Sequence, residues 1–563
     1  MVIAIAGVVS CAITPEPVSG QIMVQVPVPS AKILPRTRAE RSGYLETSTV
    51  ADVNAFIDSL RLAELPFTMG LFGRSPEGRW IPYIIASRPA VGSPEDARRS
   101  RRPVVYVQAN IHAGEVEGKE ALLALVRDLL AEKKPNVLDS IVLIAVPIYN
   151  TDGNEKFAPQ ATNRGEQNGP EMVGQRPNGQ GLDLNRDYVK AEAPETQASL
   201  LAFARWNPDL FVDLHTTDGS FHGYALTYAP PLAPVGIAGP FVRDSLLPLL
   251  RQRMRARDGF ETFDYGNFDV EDAGYRGGAV GADRAPGDTA VHAWETYDHR
   301  PRYGVNYVGI RGRAAILSEA FSHDPFERRV KSTYAFVHEI LSLAAAKPAS
   351  FRRIARAQAA GPKVGSMLAI RAHMTRTPYR GPVIVEGLEH LADTTVLTQP
   401  GVPRGMRRTG QYRTLQLDVY DRFDAEYSIP VPAAYAIPAE RDDIVRALRM
   451  HGVLVERIAA PVEASITAFA IDSISHARRA FQGHNETTLH GRWLAPRATT
   501  LAAGSYLVPT AQSLGALAVY LLEPESDDGF VTWNTLDLLV HGGAEFPIVR
   551  VPAIPAVSRR AVP

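Results

Sequence analysis

Apolar and polar positions along residues 49–345 predict strands and helices that follow one another in turn. The run 141–148 is apolar at consecutive positions, which is typical of a strand buried on both faces. Further strands are predicted at 104–111, 210–214 and 314–317, a hairpin at 67–75 and 80–87, and helices at 49–62, 194–206, 241–257 and 325–345. This alternation favours an α/β fold with a mixed, mainly parallel sheet flanked by helices.

The pattern changes after Lys347-Pro348. Short strand-like pieces at 383–386 and 415–420 come before one helical stretch at 442–452, and more short strands follow with frequent Gly and Pro. We read residues 349–563 as an accessory, β-rich C-terminal region. The predicted division is a signal or lipoprotein segment at 1–20, a linker at 21–45, a principal domain at 46–348, and accessory parts at 349–465 and 466–563.

The composition of the chain excludes several classes of protein. The net charge is −1, so attraction to nucleic acid or to an anionic membrane is not encoded globally, and the chain has no apolar run long enough to span a bilayer. Cys11 is the single cysteine, which excludes a disulfide framework and a Cys-based zinc site. Val8-Val9-Ser10-Cys11 resembles a bacterial lipoprotein processing box, which predicts an exported bacterial protein, periplasmic, extracellular or anchored by lipid at Cys11.

The loop that follows the strand 104–111 carries His112 and Glu115, directly before a helical pattern. Imidazole and carboxylate groups are ligands of zinc, and the end of a strand can hold two of them close together. A His-x-x-Glu pair is weak evidence alone, and His292 with Glu295 has the same spacing. We reject that second pair because no strand precedes it.

Two further strand ends carry candidate groups. His215 follows the strand 210–214 and would complete a His₂Glu set that leaves a fourth zinc position for water. Asp183 could accept the second N–H of a zinc-bound imidazole. Glu319 ends an apolar strand, where a carboxylate is costly to desolvate unless it is paired or functional; an ion pair with Arg311 or Arg313 is the structural alternative.

Glu319 and the Asn185-Arg186 pair suggest how a peptide could be cleaved. Glu319 is our candidate general base, which would take a proton from the metal-activated water and give it to the leaving amine. Asn185-Arg186 offers planar donors suited to a carboxylate, such as the C-terminus of a peptide. Competing catalytic motifs, such as Gly-x-Ser-x-Gly, a Walker A loop and His-Glu-x-x-His, do not occur in the sequence.

In this order, His112-x-x-Glu115, Asp183-Leu184-Asn185-Arg186, His215 and Glu319 resemble the carboxypeptidase A-type zinc metallocarboxypeptidases over roughly residues 45–345. The resemblance implies one Zn²⁺ held by His112, Glu115 and His215, with Glu319 as catalytic base. It also implies that Asp183 stands behind His112 and that Asn185 and Arg186 hold the free C-terminal carboxylate of a peptide substrate.

The resemblance leaves two roles open. The arginine that stabilises the oxyanion is expected between residue 153 and Asn185, and we choose Arg176, with Arg164 as the alternative. The tyrosine that contacts substrate should precede Glu319, and we choose Tyr307, with Tyr303 as the alternative.

The leading hypothesis is therefore an exported zinc carboxypeptidase. One alternative is a zinc amidohydrolase of the succinylglutamate desuccinylase or aspartoacylase type, which acts on N-acyl amino acids with a similar His-x-x-Glu…His set. The long loop 161–181 and the Asp-x-Asn-Arg segment favour the peptidase. The other alternative is a non-catalytic peptide-binding relative that retains the zinc site.

Overall fold

A computed structural model describes residues 34–217, 219–269, 291–402 and 404–562. The predicted leader and Cys11, the proposed lipid anchor, lie outside the described residues. Among the helices in these ranges, none combines the length and the apolar character that crossing a bilayer requires.

An eight-stranded mixed sheet forms the centre of the N-terminal part, with the strand order β1-β2-β4-β3-β5-β8-β6-β7. Neighbours run parallel in the pairs β4/β3, β3/β5, β5/β8 and β6/β7 and antiparallel in the other three. The strands are β1 (Thr68–Arg74), β2 (Trp80–Ala86), β3 (Val104–Ala109), β4 (Val142–Val146), β5 (Leu210–Thr216), β6 (Leu226–Ala229), β7 (Thr262–Asp264) and β8 (Ala314–Ala320). The predicted fold class is confirmed.

Helices cover both faces of this sheet. They are α1 (Arg38–Arg41), α2 (Val50–Leu62), α3 (Pro94–Ser100), α4 (Glu117–Ala131), α5 (Thr151–Glu155), α6 (Gln160–Asn163), α7 (Pro194–Trp206), α8 (Ala238–Phe241), α9 (Leu247–Arg253), α10 (Gly304–Ile310) and α11 (Phe326–Ala346). Wide π turns, Val242–Leu246 and Met254–Asp258, adjoin α9. The chain is therefore helical from 238 to 258, close to the predicted helix 241–257.

Strand β3 shows why its first four residues, 104–107, are all apolar. Val104 and Tyr106 belong to a core on one face of the sheet, whereas Val105 and Val107 belong to a separate core on the other face. Successive side chains of a strand point to opposite faces, so a strand buried on both faces is apolar at consecutive positions and not at alternate ones.

The C-terminal region packs directly against the cores on both faces of the sheet. A helix that the sequence analysis did not predict, α12 (Pro348–Ala360), follows α11, and its Phe351 and Ile354 pack into one of the two sheet cores. On the opposite face, Tyr435 and Leu517 share a core with Tyr106. The predicted boundary at 348/349 thus falls within continuous packing, and the division into domains stays a prediction.

The rest of this region is rich in strands, as predicted. The strands are β9 (Met367–Thr375), β10 (Gly381–His390), β11 (Met406–Tyr420), β12 (Arg422–Pro430), β13 (Ala434–Ile437), β14 (Glu456–Ile458), β15 (Val462–Ile466), β16 (Phe469–His476), β17 (Thr487–Trp493), β18 (Arg497–Leu501), β19 (Tyr506–Pro509), β20 (Val549–Val551) and β21 (Arg559–Ala561), with helices α13 (Asp442–Met450) and α14 (Gly515–Leu522). Strand β11 pairs with residues 293–295 of the N-terminal part.

Candidate active site

The carboxyl ends of three parallel neighbours, β3, β5 and β8, bring the candidate groups together. Ala109 at the end of β3 pairs with Leu214 of β5, and Glu319 of β8 pairs with His215. His215 therefore lies at the same edge of the sheet as the loop that leaves β3, and functional groups in such sheets collect at this edge.

The loop between β3 and α4 is fixed by asparagines. Asn110 has φ of 65°, which turns the chain sharply at the end of β3, and its side-chain amide donates to the carbonyls of Ala113 and Glu115 at 3.2 and 3.3 Å. Asn150 caps α5 through a hydrogen bond from the Gly153 N–H, and its amide donates to the carbonyl of Ile111. His112 and Glu115 are thus held on rigid backbone.

His112, Glu115 and His215 form a compact buried group. Their side chains are at most 4% exposed. The Nδ1 atoms of the two histidines are 3.2 Å apart, and each lies 2.9 Å from an oxygen of Glu115. Zinc bonds of about 2.1 Å place tetrahedral ligand atoms about 3.4 Å apart, so this donor set fits the ion. Within the described ranges it is the one group of three or more His, Cys, Asp or Glu with such spacing.

Each histidine turns its second ring nitrogen to a buried carboxylate. The Nε2 atom of His112 lies 3.1 Å from Asp183, and the Nε2 atom of His215 lies 3.2 Å from Asp213. Such carboxylates fix the ring and its tautomer, which leaves Nδ1 for a metal. Asp183 lies behind His112, and its role there stays a prediction. Asp213 was missed, although it stands two residues before His215 on a strand, a spacing that puts both side chains on the same face.

The electrostatics of the site favour positive charge. Burial would raise the pKa of Glu115, but the charges of His112 and Arg164 outweigh it and hold this pKa well below its usual value. Burial would lower the pKa of His215, but Asp213 and Glu115 raise it well above the usual value. The carboxylates that favour a protonated imidazole here would also favour a divalent cation.

A cavity of about 870 Å³ opens in front of the ligand group. Several of the predicted site residues line it together, namely His112, Glu115, Arg176, Asn185, Arg186, His215 and Glu319. Apolar and aromatic side chains, including Val305, Leu317 and Phe423, line the same space. A cavity in which polar groups converge beside apolar and aromatic walls is typical of a site for a small molecule or a short chain segment.

The two candidate arginines differ in position. Arg176 lines the cavity, its side chain is 35% exposed, and its Nε donates to Asp183 at 2.9 Å. Arg164 is 5% exposed and donates to Glu115 and to the carbonyls of Thr216 and Thr217. It is not one of the described residues that line the cavity. Gly114 permits this close approach, since a Cβ there would lie 2.6 Å from the Arg164 side chain.

The two candidate tyrosines also differ. Tyr307 is fully buried, its hydroxyl lies 2.8 Å from Nδ1 of His451, and it does not belong to the described cavity lining. Tyr303 does line the cavity, and its ring lies beneath the Arg186 guanidinium at 4.0 Å. Tyr297, which the sequence analysis did not single out, also lines the cavity and donates from its hydroxyl to Asn306. The structure thus brings Tyr303 to the site and leaves Tyr307 outside it.

The rejected pair, His292 and Glu295, stays separate from the ligand group. Glu295 ends a short strand at 293–295 and lines the cavity, but neither residue belongs to the cluster of possible metal ligands in the described part of the chain.

An α/β sandwich with two imidazoles and a carboxylate at its strand ends, beside the carboxylate of Glu319, defines a metallohydrolase of the zinc peptidase class. Comparison with known proteins gives the family. Residues 53–231 match the family model described as zinc carboxypeptidase. This part of the chain is therefore a zinc carboxypeptidase domain, and the protein is a metallopeptidase.

Individual relatives are distant in sequence, but the alignments with them extend over much of both chains. The chain is 25% identical over 500 residues to "Carboxypeptidase 2" of Trichophyton tonsurans, covering 85% of this chain and 81% of the relative. It is 24% identical over 467 residues to "Probable carboxypeptidase 2" of Arthroderma benhamiae, covering 81% and 79%. Among solved structures, a metallo-carboxypeptidase from Burkholderia cenocepacia is 19% identical, with 53% of this chain and 69% of that chain covered and a TM-score of 0.36.

These curated relatives come from fungi and do not support the prediction that the protein is bacterial. Export stays a prediction, because the segment that suggested it lies outside the described residues.

Proposed function

We propose that this enzyme binds one zinc ion through His112, Glu115 and His215 and removes the C-terminal residue of peptides. The observation that carries the proposal is that this ligand group, Glu319 and Arg186 all border one cavity.

The ligand group and Glu319 would divide the chemistry between them. Zinc bound there would polarise the scissile carbonyl and lower the pKa of a bound water. Glu319 takes the proton of the attacking water and delivers it to the leaving amine. Asp183 and Asp213 hold the two imidazoles in the orientation that ligation needs.

Arg186 and Asn185 would bind the substrate's terminal carboxylate. The Arg186 guanidinium stacks on Tyr303 at 4.0 Å and hydrogen-bonds to the Asn185 carbonyl, which fixes its planar fork toward the cavity. The Asn185 side chain accepts from the Gly304 N–H at 2.9 Å, which fixes that amide as well. A fixed guanidinium fork suits a carboxylate and makes a free C-terminus the feature recognised. Tyr303 takes the substrate-contact role in place of Tyr307.

A pair of peptides tests this function. We expect a short peptide with a free C-terminus to lose its last residue, and the same peptide with an amidated C-terminus to be cleaved at least about 10-fold more slowly, since a charge-assisted bond contributes about 1.5–3 kcal/mol. Mass spectrometry of the products measures both. Equal cleavage of the two peptides, or cleavage at internal bonds, would contradict the proposal. Hydrolysis of an N-acyl amino acid in preference to both peptides would support the amidohydrolase alternative instead.

Arg186→Lys should separate the contribution of the positive charge from that of the planar guanidinium group. We expect kcat/KM for the free peptide to fall about 10-fold or more, chiefly through KM, because an ammonium cannot form two parallel bonds to a carboxylate. The amidated peptide provides the control, because its slow cleavage should change little. Loss of rate on both peptides by the same factor would remove Arg186 from carboxylate binding.

Arg176→Ala tests the choice of oxyanion arginine. We expect kcat to fall by about 10²–10³, the effect of removing one such donor, while zinc content stays at one ion per chain. Steady-state kinetics with metal analysis measures both. A variant with unchanged kcat would contradict the role, whereas a variant without zinc would mean that Arg176 acts through its ion pair with Asp183.

A further inference from the structure

We propose that Gln482, at the tip of the β16–β17 hairpin of the C-terminal region, is a positioning residue of the metal site. This inference rests on the proposed zinc site and extends the catalytic apparatus to a part of the chain outside the matched family segment, 53–231.

One hydrogen bond carries the contact. The Oε1 atom of Gln482 accepts from the backbone N–H of Asp183 at 2.9 Å, across 299 positions of sequence. The Asp183 carboxylate faces His112 at 3.1 Å, accepts from the Asn185 N–H at 2.9 Å and accepts from Arg176 at 2.9 Å. Gln482 thus holds the backbone of Asp183. Asp183 orients one metal ligand, His112, and it is also the first residue of the segment that carries Asn185 and Arg186.

The backbone conformation of Gln482 is unfavourable for a residue that has a side chain. Phe481 and His484 exchange backbone hydrogen bonds of 2.8 and 3.0 Å and close the tip, which puts Gln482 at φ of 51°. Glycine adopts this left-handed region without strain, whereas other residues rarely do. A strained residue that points a polar group at a functional segment suggests a role for that group.

The tip is anchored on both sides. His484 lies 2.9 Å from Glu192 of the N-terminal part and 3.0 Å from Asn534 of the C-terminal region. The Arg302 guanidinium lies 5.6 Å from the Phe481 ring and 4.4 Å from that of Trp533. These contacts fix the tip against the residues around the site, so the Gln482 side chain acts from a rigid base.

The C-terminal region also borders the cavity directly. His373 and Met374 of β9, Phe423 of β12 and Asp527 line the cavity that contains the metal ligands. Asp527 lies 3.0 Å from Nε2 of His299, which joins the two parts at the cavity wall. The hairpin tip is therefore one of several places where this region completes the site.

Three variants test the role of Gln482. Gln482→Gly removes the acceptor and relieves the backbone strain, Gln482→Glu keeps an acceptor of the same length, and Arg479→Ala changes an exposed residue of the same hairpin. We expect Gln482→Gly to weaken zinc affinity about 10-fold, measured by competition with a chromogenic chelator, and to lower kcat, because changes behind a metal ligand typically cost 10–100-fold in affinity or activity. Gln482→Glu and Arg479→Ala should stay within about threefold of the unmodified enzyme.

Thermal unfolding of the metal-free proteins separates positioning from folding. Metal-free Gln482→Gly should unfold at the same temperature as the unmodified protein or higher, since glycine suits the tip. Unchanged zinc affinity and kcat in Gln482→Gly would overturn the inference, as would equal losses in all three variants, which would mean that the hairpin acts only as a scaffold. If the unmodified protein binds no zinc, the proposed function itself fails.

Discussion

Glu319→Gln is expected to bind zinc as tightly as the unmodified enzyme and to turn over peptides about 10²–10⁴-fold more slowly, the range for loss of a general acid–base group. The amide has the shape of the carboxylate but cannot take a proton from water. Glu319 is 8% exposed, pairs with His215 across β8 and β5, and borders the cavity. Its loss should therefore affect the chemical step and leave the three ligands in place.

Single-turnover kinetics and metal analysis of the same preparation measure the two properties. Glu327→Gln is a suitable control, because Glu327 is an exposed residue in the first turn of α11 that pairs with Lys331. We expect this control to keep full activity. If Glu319→Gln kept its turnover while holding zinc, the base would have to be sought elsewhere in the cavity.

The ligand group could be predicted because each of its members follows a strong local signal. The three strands begin with the apolar runs 104–107, 210–212 and 314–317, which read as buried parallel strands. Polar residues at the ends of such strands share one edge of the sheet, so His112, His215 and Glu319 could be brought together without coordinates.

Residues whose role depends on three-dimensional packing could not be assigned in this way. Tyr307 lies within α10, whereas Tyr303 is the N-cap residue and has an extended backbone. The packing around this helix end decides that Tyr303 faces the cavity and Tyr307 faces His451. Asp213 had a readable signal in its spacing from His215, which the sequence analysis did not use.

The structure and role of the C-terminal region were the hardest to predict from the sequence. Lys347-Pro348 has the composition of a boundary, yet Pro348 occupies the first turn of α12, a position that helices tolerate well. The contacts of this region with the site, such as the bond from Asp183 to Gln482, join residues 299 positions apart. No local pattern encodes a contact at such a distance, and its consequences appear only in the folded chain.

Removal of zinc should abolish activity and lower stability together. We expect a chelator to eliminate peptide cleavage and added zinc to restore it. Neither Glu319 nor Arg176 can replace the ion that the two imidazoles and Glu115 would hold, because only the metal would both polarise the carbonyl and lower the pKa of the attacking water. Zinc at about 1,000 times its dissociation constant should add about 4 kcal/mol to the free energy of unfolding. The metal-free protein should remain folded, since Arg164 at 3.1 Å and the two histidines at 2.9 Å still pair with Glu115. Calorimetry with and without zinc measures the increment, and His215→Ala should lack it. Full activity after exhaustive metal removal would overturn the mechanism.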